Sequence, residues 1–331
     1  MSSRAPGSPD RATIAAFIAV AVFGGMNALA VRQTLVELDP YWSAAARFMA
    51  AGLILSGITL VRRRRFPRGR ALAGAVAYGA VGLASAFGLI YPALREVPAG
   101  TVASLLALTP LATYALAILL RQERFSLPGL AGGLIAVTGV AIVFADQVAA
   151  AVPVGSLLLV IAGVLCIAVS AVLVKAIPKS DPIGINAVAM LSGGAIHLSI
   201  SLVAGEAQAI PASASTWLWF GYLVLLGSVA LFSLYLFALE RWTASAVSYT
   251  TLLMPFVGVA VATVIAGERF SVALVAGGLV LLAGVYVGAF RAPRPRRSTA
   301  TSAAECLPIE DCGPPLTVGA RAGSAQPAGR A

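Results

Sequence analysis

The sequence predicts an all-α polytopic membrane protein, with ten transmembrane helices built as two inverted five-helix repeats. Three observations predict it. Apolar residues make up 59% of the 331 residues and charged residues only 11%, where an ordinary soluble domain is roughly a quarter charged. With a mean hydropathy of +0.92, the chain has too little polar surface to cover a soluble globule. The apolar residues fall into ten runs near the ~20 residues that cross a bilayer, and the second five runs resemble the first five.

The ten runs cover 12–31, 41–61, 71–92, 98–120, 127–145, 154–175, 183–204, 216–238, 243–266 and 272–290. The first is long enough to be a full span, and no small-residue cleavage pattern follows it, so it does not read as a signal peptide. Residues 1–11 read as an N-terminal tail. Residues 146–153 connect the two halves, 12–145 and 154–290. The stretch 291–331 is polar and rich in Pro, Ala, Gly and Ser, which predicts disorder.

Lys and Arg in the loops set the orientation. With the N-terminus inside, the inner loops and tails take the run "RRRRFPRGR" (62–70), Arg121, Arg124, Lys175, Lys179, Arg241 and both terminal basic groups. The outer loops take only Arg32, Arg95 and Arg269. Both termini are therefore expected in the cytoplasm. The net charge of +10 reads as this topology pattern and as contact with anionic lipid, not as a nucleic-acid surface.

The repeat is explicit. "ALTPLATYALAILLRQERFS" (107–126) faces "LLMPFVGVAVATVIAGERFS" (252–271), so Pro110 and Pro255, and Glu123 and Glu268, lie 145 residues apart. "LAGGLIAVTG" (130–139) faces "VAGGLVLLAG" (275–284) at the same offset. Runs 1–2 match runs 6–7 more weakly at an offset of 142–143, which sets Asn27 opposite Ser170. Five spans per half is an odd number, so the second half enters from the opposite face. Such inverted repeats are a common transporter plan, because two oppositely oriented halves can exchange conformations.

These strings also resemble the EamA-like family of the drug/metabolite transporter superfamily, over roughly 12–290. The resemblance rests on Pro110, Glu123, Gly132, Gly133 and Gly139, and on Pro255, Glu268, Gly277, Gly278 and Gly284. "FGGMNALAVR" (23–32), followed by Arg47, is similar to the family's first two helices, except at Gly24, where tryptophan is common. The resemblance implies transport of small metabolites, often amino acids, across the bacterial inner membrane.

Candidate binding groups are the polar residues within the runs. Arg47 is the deepest charge, about 9 Å inside run 2 at 1.5 Å per residue. A mid-bilayer charge costs on the order of 3 kcal/mol or more, so Arg47 either binds an anionic group such as a carboxylate, snorkels, or pairs with a carbonyl. His197, the single histidine, is a proton carrier or a packing residue. Asn27 and Ser170, and Ser104 and Tyr249, are repeat mates that line a cavity or bond between helices. Pro110 and Pro255 kink their helices, either as static bends or as gating points. Glu123 and Glu268 sit at helix ends, ahead of Ser126 and Ser271, and read as structural loop or capping residues. The glycines spaced by seven form a small-residue stripe for packing within the chain or at a homodimer contact.

Several function classes lose support. No Walker A string is present, which disfavours ATP-driven pumping by this chain. No acidic residue lies mid-run, which disfavours a carboxylate site for cationic drugs, although another permease of the same superfamily stays an alternative. Ser192 lies five residues from His197, a poor offset for a catalytic pair, and no GxSxG occurs, so an intramembrane hydrolase is not expected. A membrane scaffold would have no use for inverted halves. Cys166, Cys306 and Cys312 form neither a metal set nor a disulfide framework. No cofactor and no metal are expected. The expected partners are a small-molecule substrate and the lipid bilayer.

Overall fold

The computed structural model describes residues 9–93, 96–97, 99–143, 145, 153–266 and 272–290. Most of the 146–153 connection, the tail from 291 and Glu268 lie outside the described residues. So does the side chain of Ser104. Among the described residues there is no strand. Six long helices are α1 (Arg11–Thr34), α2 (Pro40–Val61), α3 (Arg70–Ala93), α7 (Val154–Ala176), α8 (Pro182–Val203) and α9 (Ala214–Arg241). With Ala244–Val261 they make seven stretches long and apolar enough to cross a membrane. Between and after them lie α4 (Ala99–Leu106), α5 (Thr109–Leu119), α6 (Leu127–Val143), α10 (Ala244–Ser248), α11 (Thr250–Ala266) and α12 (Val272–Val285).

Two of the long helices carry a π-helical segment at matching places. In α3 it covers Gly79–Ser85 and in α9 Leu225–Ala230. Of the four remaining runs, the fourth and the ninth are interrupted, and differently. The fourth run parts at Ala107–Leu108, and Pro110 falls in the first turn of α5, where its missing N–H costs nothing. The ninth run parts at Tyr249, while Pro255 lies inside α11. Around that break the hydroxyls of Ser248, Thr250 and Thr251 bond the carbonyls three residues back, at 2.6–2.8 Å. The two prolines match in sequence but not in local geometry.

The halves pack reciprocally. α2 lies against α8 and α6 against α12, each the counterpart of the other in the repeat. α1 packs on α11, and its counterpart α7 packs on α4 and α5. α2 and α8 run antiparallel: the Arg64 side chain, beyond the end of α2, pairs with Asp181 at the start of α8 at 2.5 Å. At the opposite end Glu206, beyond α8, accepts from the Tyr41 and Trp42 amides of α2 at 3.3 and 2.8 Å. Helix ends are thus capped by the other half. Glu123 accepts from the Ser245 amide and hydroxyl at the start of α10. Within the second half, Lys175 of α7 donates to the Leu239 and Trp242 carbonyls at the end of α9.

Outward faces are apolar: Leu53, Leu60, Leu165, Leu218 and Leu279 are all exposed. Polar side chains such as Asn186, His197, Ser201 and Ser228 are buried. That inversion suits a lipid solvent. The glycine stripe is used within the chain. A Cβ on Gly132 would overlap the Gly288 backbone, and one on Gly139 the Leu281 backbone. Gly132→Ala is therefore expected to cost about 1–3 kcal/mol through overpacking, read as a lower melting temperature in detergent. Gly57, with nothing within 4 Å of its added Cβ, provides the neutral control as Gly57→Ala.

Glu37 gives a pH test. Hydrogen bonding with Ser213 and the Ala212 amide lowers its carboxyl from an ordinary 4.5 to about 2, and the Ala212 amide lies 2.7 Å away. The folded value lies below the unfolded one, so this cap contributes fully above about 4.5 and fades as pH falls through about 2. Glu37→Gln should lower the melting temperature at neutral pH, and the difference from the wild type should vanish as pH approaches 2.

Candidate functional site

Arg47 is buried at 1% exposure, the largest fully buried side chain among the described residues. It belongs to α2, in the first half, and its bonds reach into the second. Nε donates to the Ser228 hydroxyl at 2.7 Å and Nη2 to the Gly227 carbonyl at 2.8 Å, both in the π segment of α9. Nη1 donates to the Tyr91 hydroxyl of α3 at 3.2 Å. The rings of Phe48 and Phe87 lie 5.1 and 5.8 Å from its guanidinium carbon, close enough for cation–π attraction.

The site follows from local chemistry. A π turn is a local departure from α-helical bonding that recurs at functional sites, and Gly227 has no side chain to cover its carbonyl. Two donors meet there, because Asn27 Nδ2 of α1 also donates to Gly227 O, at 3.3 Å. Tyr222, also on α9, donates to the Phe23 carbonyl of α1 at 2.7 Å. Three bonds from a charged donor, each worth roughly 1.5–3 kcal/mol, are of the size needed to offset a buried guanidinium. None of the acceptors is a carboxylate, and Arg47 makes no ion pair among the described residues.

His197 of α8 mirrors this arrangement. Its Nε2 lies 3.3 Å from the Leu83 carbonyl, in the π segment of α3. So the first half reaches the second through Arg47, and the second reaches the first through His197. The His197 ring stacks on Phe48, with centroids 6.0 Å apart and planes 17° apart. Phe48 thus joins His197 to Arg47.

The repeat mates are placed alike. Asn27 sits on Gly227, and Ser170 of α7 sits where a Cβ on Gly82 would be, in the other π segment. Ser170 Oγ donates to its own helix, to Ile167 O at 2.8 Å. Among the described residues, the buried side-chain atoms without a hydrogen-bond partner include Asn27 Oδ1, Asn186 Oδ1, His197 Nδ1 and the Tyr78 hydroxyl, besides Thr109, Thr113 and Gln122 oxygens. Orphaned atoms of this kind mark places that a water or ligand completes.

The structure brings Asn27, Arg47 and His197 together, with Ser170 on the matching segment. Tyr249 belongs elsewhere: its hydroxyl donates to Gly129 O at 3.4 Å, and its ring packs in the cluster with Trp242 and Leu281. Sequence reasoning missed Tyr91, Gly227, Ser228, Phe48 and Phe87. A signal existed for one of them, since Gly82 and Gly227 share the 145-residue offset. Among the described residues no group of His, Cys, Asp and Glu is arranged to hold a metal.

A helical membrane protein in two reciprocal halves, with its polar groups where they meet, is the class that this fold and site define. The model of the EamA-like transporter family matches twice, over residues 11–145 and 154–289. The chain belongs to that family and is a membrane transporter. It is 28% identical over 276 residues to the inner membrane transporter YedA of Escherichia coli, in three strains, covering 82% of this chain and 89% of the relative. One solved crystal structure, 19% identical, matches with a TM-score of 0.71 over 85% of this chain and 97% of its own, a likeness of fold.

Ser228→Ala should cost about 1.5–3 kcal/mol, because it removes one acceptor from a buried charged donor. Ser170→Ala, whose hydroxyl bonds only within its own helix, should cost under about 1 kcal/mol. Denaturant titration of both variants in the same detergent tests the difference.

Proposed function

We propose that this chain is a secondary transporter that exports small polar metabolites, amino acids or related carboxylates, by alternating access. In this reading ten helices span the bacterial inner membrane, with both termini in the cytoplasm, as the basic loops suggest. The observation that carries the substrate class is Arg47: a buried guanidinium whose acceptors are all neutral. A buried charge without a counter-ion is held at a cost, and a substrate carboxylate is the group that would best offset it. Asn27, whose Nδ2 shares the Gly227 carbonyl with Arg47, offers its buried, unpartnered Oδ1 as an acceptor for an ammonium. A carboxylate and an ammonium together describe an amino acid.

The same geometry suggests how binding would move the halves. Arg47 holds α2 to the π segment of α9 through Ser228 and Gly227. A carboxylate accepting from Arg47 would compete with those acceptors and loosen the cross-repeat contact. A ligand shifts an equilibrium only by its differential affinity for the two states, and this competition provides such a difference. A hydrolase reading finds no support here, since His197 and Ser192 have separate partners, the Leu83 and Ala189 carbonyls.

The test is efflux from liposomes holding purified protein and a mixed pool of amino acids and related metabolites, followed by mass spectrometry. Selective loss of carboxylate solutes is expected, reduced at least tenfold in Arg47→Ala and poorly restored by Arg47→Lys, which lacks the planar fork. Equal loss from the Arg47→Ala and wild-type proteins, both shown to be folded, would remove Arg47 from the binding site.

A further inference from the structure

The basic end of the bundle holds a cavity of about 600 Å³ that the transport reading does not use. One wall is the alanine face of α1, at Ala12, Ala15, Ala16 and Ala19, spaced to fall on one side of a helix. The floor is α9, through Leu234 and Phe237, and the opposite wall is the start of α8, at Pro182 and Ile183. The cavity therefore lies between the first helix of one half and two helices of the other. Ala12 to Ala19 span about 10 Å of rise, and the small side chains leave room beside the helix.

The rim is built of charge. Arg64 lines the cavity directly. The Arg241 guanidinium carbon lies 3.7 Å from the centroid of the Phe237 ring, on the cavity's floor helix. Arg64 pairs with Asp181 at 2.5 Å, and Arg241 with Glu240 at 3.8 Å, both pairs partly exposed. Arg62, Arg63, Arg65 and Arg68, in the same short loop as Arg64, are exposed and leave the rim with an excess of positive charge.

We infer that this cavity binds one anionic phospholipid, with an acyl chain along the α1 alanine face and the phosphate against Arg64 and Arg241. Apolar depth and a cationic rim at one end match the two parts of such a lipid. A zwitterionic phospholipid also brings a phosphate, but its ammonium cancels the net negative charge that the cationic rim attracts. Basic side chains at a membrane surface each add to the affinity for anionic lipid. Because the lipid would touch α1, α8 and α9 together, it would bridge the two halves at this end. The inference does not rest on the role assigned to Arg47.

The test uses the full-length protein in phosphatidylcholine vesicles, with trace spin-labelled phosphatidylglycerol or spin-labelled phosphatidylcholine. The measured quantity is the motionally restricted fraction of each. The wild type should restrict phosphatidylglycerol in excess. Ala15→Phe, which puts a ring across the α1 alanine face in the path of the acyl chain and keeps every charge, should abolish the excess. Arg64→Gln should reduce it about fivefold, the effect of one basic group at the surface. No excess in the wild type would overturn the inference. An excess that survives Ala15→Phe but falls in Arg64→Gln would also overturn it, because it would show general attraction to the loop. Equal melting temperatures of the three proteins confirm that folding is not the cause. Should Ala15→Phe fail to fold, Ala12→Leu, nearer the exposed helix start, replaces it with the same expected loss.

Discussion

The buried guanidinium of Arg47 is the interaction around which the centre of this protein is organised. A charge cannot sit in a low-dielectric interior without partners, and here the three hydrogen-bond acceptors are neutral oxygens, two on α9 and one on α3. Satisfying it fixes α2 against α9 and α3, and it gives a use to the π segment that presents Gly227 and Ser228 together. Phe48 and Phe87 fill the remaining sides with ring faces, and Phe48 carries the contact on to His197. The result is a continuous polar and aromatic group across the line where the halves meet.

The halves are held by exchange. Each contributes caps to the helix ends of the other: Glu206 to α2, Glu37 to α9 and Glu123 to α10. In a chain with so few charges, most acidic groups with an assigned contact are spent on such ends. α6 and α12 close the pair through glycine faces whose backbones touch. Close backbone approach suits an apolar solvent, where van der Waals contact rather than hydrophobic burial drives helix association. It also occupies the stripe that could otherwise have served a homodimer.

Much of the fold was legible because lipid imposes simple rules. Apolar run length, basic loops and the 145-residue repeat each report a strong physical constraint, and the antiparallel pairing of α2 with α8 agrees with an inverted repeat. The functional centre was only partly legible. Arg47 stood out because a charge in an apolar run is costly, and Asn27 and His197 because polar groups there are few. Tyr91 and Ser228 did not stand out, since a tyrosine or a serine in a membrane helix is unremarkable until its partner is known. Tyr249 was grouped with the others by its repeat mate, yet it serves a different cluster, because repeat equivalence fixes a position and not a neighbour.

The sequence by itself determined that the chain is helical, apolar outside and twofold in plan, because composition and periodicity act on every residue independently of its contacts. It also determined that one charge must be sheltered. Only the tertiary structure decided what shelters it. The π segments, the break at Tyr249 rather than at Pro255, and the meeting of Arg47 with Gly227 arise from contacts 180 residues or more apart in the chain or from backbone bonding that no local pattern encodes. The asymmetry has the same origin: the halves match in sequence, but the positions 142–143 residues after Arg47 hold Ala189 and Met190, so His197, from a different turn, meets the other π segment instead.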